Sequence, residues 1–175
     1  MSIKTIFLDR DGVINNEVNY LHKICDFEFI EGVFDALLYF QRLGYKTIII
    51  TNQSGISRGY YTENDYQILN RWMLGKFNER GVKILDTFHC PHGPKSTCEC
   101  RKPKPGMLKK AQEKHNIDMT KSWMIGDKEV DVRAANAAGI QNTILVRSGH
   151  LIDETNSSAK FFLDSIQQSI QVINL

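Results

Sequence analysis

The stretch IFLDRDGVINN, residues 6–16, begins as a short apolar run and ends in two carboxylates, Asp9 and Asp11, one residue apart. A run of this kind bounded by a polar turn reads as a strand buried on both faces, the form strands take inside a parallel sheet. The run itself spans IKTIFL (3–8), and the same form recurs at KTIIIT (46–51), ILDTFHC (84–90), SWMIGD (122–127) and NTILVR (142–147). Helical patterns lie between these runs. VFDALLYFQRLG (33–44) closes at Gly44, and TENDYQILNRWMLGKFNERG (62–81) opens on a Thr cap and closes at Gly81. PGMLKKAQEKH (105–115) carries Pro near its first turn, and EVDVRAANAAG (129–139) again ends in Gly. Alternating strand and helix predict a three-layer, Rossmann-like α/β fold, a central parallel sheet with helices on both sides. In the tail, KFFL (160–163) reads as a short edge strand and DSIQQSIQVI (164–173) as a closing helix.

The chain has 175 residues, enough for one domain with its own core and too few for a second substantial one. Its apolar fraction of 42%, charged fraction of 24% and net charge of +2 are ordinary, so no nucleic-acid or membrane surface is expected. MSIKTIFLDRDG has no apolar signal region, and no later segment approaches the roughly 20 apolar residues that span a bilayer. A cytoplasmic enzyme or binding protein, monomeric by default, is the expectation. Of the four cysteines, Cys90, Cys98 and Cys100 crowd into one segment with His89 and His92, while Cys25 stands alone. That clustering argues against a disulfide framework.

Following each strand to its carboxyl end collects polar groups: Asp9 and Asp11 after the first, Thr51 and Asn52 after the second, Asp127 and Lys128 after the fourth. In a parallel sheet these ends meet at one edge, where ligands bind. Three carboxylates gathered there repel one another unless a cation sits among them, and hard oxygen ligands suit Mg²⁺. A lone Asp-x-Asp at a strand end is otherwise a turn or helix cap. A calcium loop is excluded, because Gly12 stands fourth and Tyr20 twelfth from Asp9, where Gly at sixth and an acid at twelfth are required.

DRDGVIN, TNQSGISRGYYT, CPHGPKSTCECRKPKPGM and MIGDKEVD resemble the haloacid dehalogenase (HAD) superfamily of aspartate-nucleophile phosphatases. Within it they resemble the heptose 1,7-bisphosphate 7-phosphatases and their histidinol-phosphatase relatives. The likeness runs from Ile3 to beyond Arg147. It implies that Asp9 attacks phosphorus to form an aspartyl-phosphate, and that Asp11 protonates the departing sugar oxygen and then activates water. Mg²⁺ is implied to be held by Asp9, the backbone carbonyl of Asp11 and Asp127, with Asp9 ionised and Asp11 the more ready to keep a proton. Thr51 and Lys102 are implied to stabilise the transferring phosphoryl oxygens. Lys128 is a second candidate for phosphate contact or a solvated lysine at a helix start. Asp131 either supports a metal-bound water or favours a helix N-terminus.

Cys90, His92, Cys98 and Cys100 form a CxH and a CxC pair separated by five residues, tighter than the usual CxxC knuckle. Four protein ligands close a coordination sphere, so with the resemblance a structural Zn²⁺ is expected in the loop 90–100. Free surface thiols and a catalytic metal are the competing readings. Arg101 follows the last ligand, and its forked donors suit a phosphate that is bound without being cleaved; the alternative is a surface ion pair. By the same resemblance Glu17, Val18, Asn19 and Tyr20, with Asn52, Gln53 and Ser54, shape the substrate pocket without a large cap domain.

The resulting expectation is a Mg²⁺-dependent phosphatase with a structural zinc. It removes the 7-phosphate of a heptose 1,7-bisphosphate on the route to ADP- or GDP-heptose for lipopolysaccharide or capsule. Histidinol-phosphate phosphatase is the alternative nearest in chemistry. A polynucleotide 3′-phosphatase, which needs a basic stripe the net charge does not suggest, and a non-catalytic phosphosugar-binding module are the others.

Overall fold

The computed structural model describes residues 2–173. Six strands, β1 (Thr5–Leu8), β2 (Lys46–Asn52), β3 (Ile84–Cys90), β4 (Trp123–Gly126), β5 (Asn142–Val146) and β6 (Phe161–Leu163), form one sheet in the order β3-β2-β1-β4-β5-β6. Every pairing is parallel. Four helices cover it: α1 (Val33–Arg42), α2 (Glu63–Glu79), α3 (Gly106–His115) and α4 (Glu129–Ala137).

Strand alternation divides the core in two. Ile6, Leu8 and Ile49 pack with Leu37 and Phe40 of α1 and Met73 and Phe77 of α2. Phe7, Ile48 and Ile50 turn the other way and meet Met107, Leu108 and Ala111 of α3 and Ala134 and Ala135 of α4. Each fully buried Phe or Ile contributes about 1.5–3 kcal/mol of transfer free energy, and these two apolar layers clamp the central strands between them. At the start of α2, Thr62 Oγ1 accepts from the Asp65 amide at 3.1 Å and Asp65 Oδ2 accepts from the Thr62 amide at 2.8 Å, a reciprocal cap.

The chain leaves β1 for β2 and β3, then crosses back to enter β4 on the other flank of β1. The sheet therefore has its topological switch between β1 and β4. Leu8 is in register with Ile49 on one side and Ile125 on the other, and the Asp9 amide continues the ladder onto Ile125 O at 3.0 Å. The residues just beyond, Asp9 and Asp127, are thus delivered to the same crevice.

Two expectations need correction. β3 is an outer strand with mostly half-exposed residues, not one buried on both faces, because the crossover to β4 leaves it no neighbour beyond β2. The closing segment is a short 3-10 helix, Ile166–Gln171, rather than an α-helix, and it packs on the α1 side of the core through Ile166 and Ile170, with Val172 and Ile173 just beyond it. Among the described residues no helix is long and apolar enough to cross a membrane.

Candidate active site

A cleft of about 290 Å³ opens at the carboxyl ends of β1, β2 and β4. At its floor Asp9, Asp127 and Asp131 each bring a carboxylate oxygen within 4.8 Å of the others, and all three are buried. Lys102 Nζ lies 2.9 Å from Asp9 Oδ1, 2.6 Å from Asp131 Oδ1 and 3.0 Å from the Ile50 carbonyl. Asp131 Oδ2 accepts from the amides of Asp127 (3.2 Å) and Lys128 (3.1 Å). Asp131 thus serves the N-terminus of α4 with one oxygen and the acidic cluster with the other.

One lysine among three buried carboxylates leaves negative charge uncompensated, which the interior does not tolerate without a counter-ion. The effect is visible on Asp9. Burial pushes its carboxyl well above the ordinary range, Lys102 pulls it back, and Asp131, Asp127 and Asp11 raise it again. Ionised Asp9, as the resemblance implies, thus depends on a further cation. Asp127 has the atom for one: Oδ1 is buried without a hydrogen-bond partner, while Oδ2 accepts from the amide (3.0 Å) and Nδ1 (2.6 Å) of His150. The backbone is cut away around this carboxylate. A Cβ on Gly149 would fall 2.2 Å from Asp127 Oδ2 and one on Gly12, which has φ +83°, 2.5 Å from it. Buried, all-oxygen donors with an unfilled lone pair fit a hard divalent ion of the Mg²⁺ type.

Asp11 is not part of that cluster. Arg10 Nη2 donates to its Oδ1 and Oδ2 at 2.9 and 3.1 Å, Arg10 Nε to Oδ1 at 3.2 Å, Asn15 Nδ2 to Oδ1 at 3.1 Å and Gln53 Nε2 to Oδ2 at 3.2 Å. The Gln53 amide is otherwise occupied inside the protein. Its Nε2 donates to Thr51 Oγ1 at 2.8 Å, and its Oε1 accepts from the Tyr61 hydroxyl at 2.5 Å. Thr51 itself is buried below the cleft wall. The Asn52 side chain clamps the main chain of Lys102, donating to its carbonyl and accepting from its amide, both at 3.1 Å.

Glu17, Val18, Asn19 and Tyr20 line one wall, Asn52, Gln53 and Ser54 a second, and Arg101, Lys102 and Lys128 a third. Burial and the nearby Asp11 raise the Glu17 carboxyl above its usual range, against the pull of His150 and Lys128. Sequence reasoning missed Arg10, Asn15, Tyr61 and His150. His150 follows β5 just as the other site residues follow their strands, and a charged Arg10 just past a core strand had to be paired; both facts were available.

The four expected zinc ligands converge after β3. With Zn–S near 2.3 Å and Zn–N near 2.0 Å, tetrahedral geometry places sulfurs ~3.8 Å apart and sulfur and nitrogen ~3.5 Å apart. Cys90 Sγ lies 3.8 Å from Cys98 Sγ and 3.5 Å from His92 Nδ1, and His92 Nδ1 lies 3.3 Å from Cys100 Sγ. Cys90 and Cys100 approach to 3.0 Å, closer than that edge but well beyond a disulfide, and all the thiols are free. The residues fit a closed S₃N site. Arg101 Nη1 donates to the His92 carbonyl at 3.0 Å, so the arginine is anchored to this loop.

A HAD-hydrolase-like family model matches residues 99–169. A D,D-heptose 1,7-bisphosphate phosphatase from B. bronchiseptica, solved with magnesium and phosphate, superposes with a TM-score of 0.84 at 26% identity, covering 97% of each chain. Sheet order, acidic floor and these matches define a HAD-like hydrolase. Curated relatives narrow this. A D-glycero-alpha-D-manno-heptose-1,7-bisphosphate 7-phosphatase of Photorhabdus laumondii is 50% identical over 90% of this chain and 90% of its own length. The corresponding beta-anomer enzymes of Vibrio cholerae and Escherichia coli K12 are 46% and 42% identical, over 95% and 98% of this chain and 94% of each relative. The chain belongs to the heptose 1,7-bisphosphate 7-phosphatase family.

Proposed function

We propose that the protein hydrolyses the C7 phosphate of a D-glycero-D-manno-heptose 1,7-bisphosphate, releasing heptose 1-phosphate and inorganic phosphate. The observation that carries this reading is the meeting of Asp9, Asp127, Asp131 and Lys102 on the cleft floor with Asp11 beside them. Asp9 attacks phosphorus, the bond from phosphorus to the C7 oxygen breaks, and its electron pair stays on that oxygen, which takes a proton from Asp11. Water then adds to the aspartyl-phosphate while Asp11 recovers a proton from it, and Asp9 returns as a carboxylate. Lys102 would stabilise the transferring phosphoryl group with its charge, and Thr51, at the end of β2, would join it by turning its hydroxyl from Gln53 toward the cleft. Asp9, the Asp11 carbonyl and Asp127 would hold Mg²⁺, which when bound supplies positive charge to the nucleophile and the phosphoryl oxygens.

Arg101 holds the phosphate that is not cleaved, fixed by its bond to the zinc loop, whose ion would be structural. Glu17, Val18, Asn19 and Tyr20 with Asn52, Gln53, Ser54 and Lys128 set the shape of the sugar site. This reading makes the chain a monomeric, cytoplasmic, single-domain enzyme of nucleotide-heptose synthesis for lipopolysaccharide or capsule. A screen of phosphate release from both anomers of the heptose bisphosphate and from histidinol phosphate, with and without Mg²⁺, tests it. Higher kcat/KM for histidinol phosphate would overturn the substrate assignment, and undiminished turnover by Asp9→Asn the covalent step.

A further inference from the structure

Arg10 stands between the two carboxylates of the opening stretch. Its side chain is 2% exposed, and burying a guanidinium costs several kcal/mol unless good partners are built for it. The partners are specific. Nε and Nη2 meet Asp11 Oδ1 at 3.2 and 2.9 Å, Nη2 reaches Asp11 Oδ2 at 3.1 Å, and the same Nη2 donates to the Leu21 carbonyl at 3.0 Å. Leu21 closes the wall made by residues 17–20. One planar fork thus ties the carboxylate of Asp11 to the backbone of the loop that faces the sugar. A lysine gathers its donors on one tetrahedral nitrogen and cannot reproduce the flat fork that grips Asp11 through Nε and Nη2 while Nη2 also reaches Leu21.

We propose that Arg10 is a positioning residue that sets the orientation of the Asp11 carboxylate and registers it against the Leu21 end of the substrate wall. This inference rests on Asp11 acting as acid and base in the reading above. If Arg10 works through Asp11, its loss depends on how much help the leaving group needs. A sugar oxygen must be protonated as its bond to phosphorus breaks, whereas p-nitrophenolate leaves as the anion, and both esters share the later hydrolysis that needs Asp11 as base.

The test is stopped-flow turnover of full-length, zinc-replete, Mg²⁺-loaded protein with the heptose bisphosphate and with p-nitrophenyl phosphate. Arg10→Lys is expected to slow sugar-ester turnover by about 10–100-fold, a part of the roughly 10²–10⁴-fold that general acid–base catalysis supplies. With the aryl ester it should keep a nitrophenolate burst at the wild-type rate followed by slow steady-state release. Asp11→Asn should give the same pattern with a larger loss. If Asp11→Asn slows the aryl burst as much as the sugar reaction, the acid–base reading of Asp11 fails. If Asp11→Asn behaves as expected but Arg10→Lys slows the aryl burst as much as the sugar reaction, or leaves both sugar turnover and steady-state aryl release at the wild-type rate, Arg10 does not position it. Thermal melting checks the fold of Arg10→Lys, and Arg10→Gln repeats the test; should neither variant fold, Arg10 belongs to folding instead.

Discussion

Replacing Lys102 by methionine removes the cation between Asp9 and Asp131 while keeping most of the side chain's volume. Burial alone would discharge this lysine, but Asp131 and Asp9 outweigh it and hold the ammonium well above its ordinary range. At 2.6 and 2.9 Å, and at an effective dielectric near 20, each gross attraction is about 6 kcal/mol, much of it offset by desolvation. Removing one partner of a buried pair typically costs about 3–5 kcal/mol. At about 2–4 °C per kcal/mol for a chain of this size, the magnesium-free, zinc-loaded variant should melt roughly 6–20 °C below the wild type. Mg²⁺ should recover more of that loss than it adds to the wild type, since it enters a cluster short of one more positive charge. Turnover should fall by about 10²–10³ even at saturating Mg²⁺, because a charge aimed at the phosphoryl oxygens is gone. Calorimetry across a Mg²⁺ titration, paired with phosphate release, reads all three. An unchanged melting temperature together with an unchanged Mg²⁺ shift would refute the idea that Lys102 neutralises this floor.

Three further outcomes follow from the geometry. Cys98→Ser should abolish stoichiometric zinc by elemental analysis and raise KM far more than it lowers kcat, since Arg101 loses its anchor on the loop while Asn52 still clamps Lys102; an equal fall in kcat would contradict this. Gly149→Ala would drive a Cβ to 2.2 Å from Asp127 Oδ2, so the Mg²⁺ concentration for half-maximal activity should rise at least roughly tenfold, the scale seen when the surroundings of a metal ligand are disturbed. Asp86 is lowered on balance: burial would raise it, but hydrogen bonds from Lys114 and His115 prevail. A depressed folded pKa gives stability that is present above the unfolded value of about 3.9 and lost as pH falls through the folded one. Asp86→Asn should therefore be less stable than wild type at pH 7 in urea unfolding, with the gap narrowing below about pH 4.

Much of this was legible in the sequence because parallel strands advertise themselves. The runs around Phe7, Ile48, Met124 and Ile144 are apolar on both faces, and the polar residues at their carboxyl ends had to gather on one edge. Strand order is a different matter. ILDTFHC looks as apolar as its neighbours, yet whether it is central or outer depends on where the chain crosses back, which no local pattern records. DSIQQSIQVI was long enough for an α-helix, and Ile166, Ile170, Val172 and Ile173 all join the core on the α1 side, but nothing in its pattern tells that its turns close as a 3-10 helix. In the site, Asp9 and Asp127 were found as residues of reacting type at strand ends, and Lys102 through the resemblance. Asn52 and Gln53 were read as substrate contacts, but the structure spends their amides on Lys102 and on Asp11, Thr51 and Tyr61. Such internal hydrogen bonding joins residues 50 positions apart and leaves no periodic trace.

The clamp of Asn52 on the Lys102 main chain separates two kinds of change. Lys102 is held from the sheet side, so the segment 93–97 can gain, lose or exchange residues while the lysine stays in place. Drift there would reach the cleft through Arg101, which is anchored to the same loop, and would alter how firmly a ligand docks while leaving Lys102 where it is. A scaffold wired in this way can acquire new clients by editing its doorway, with no redesign of its engine.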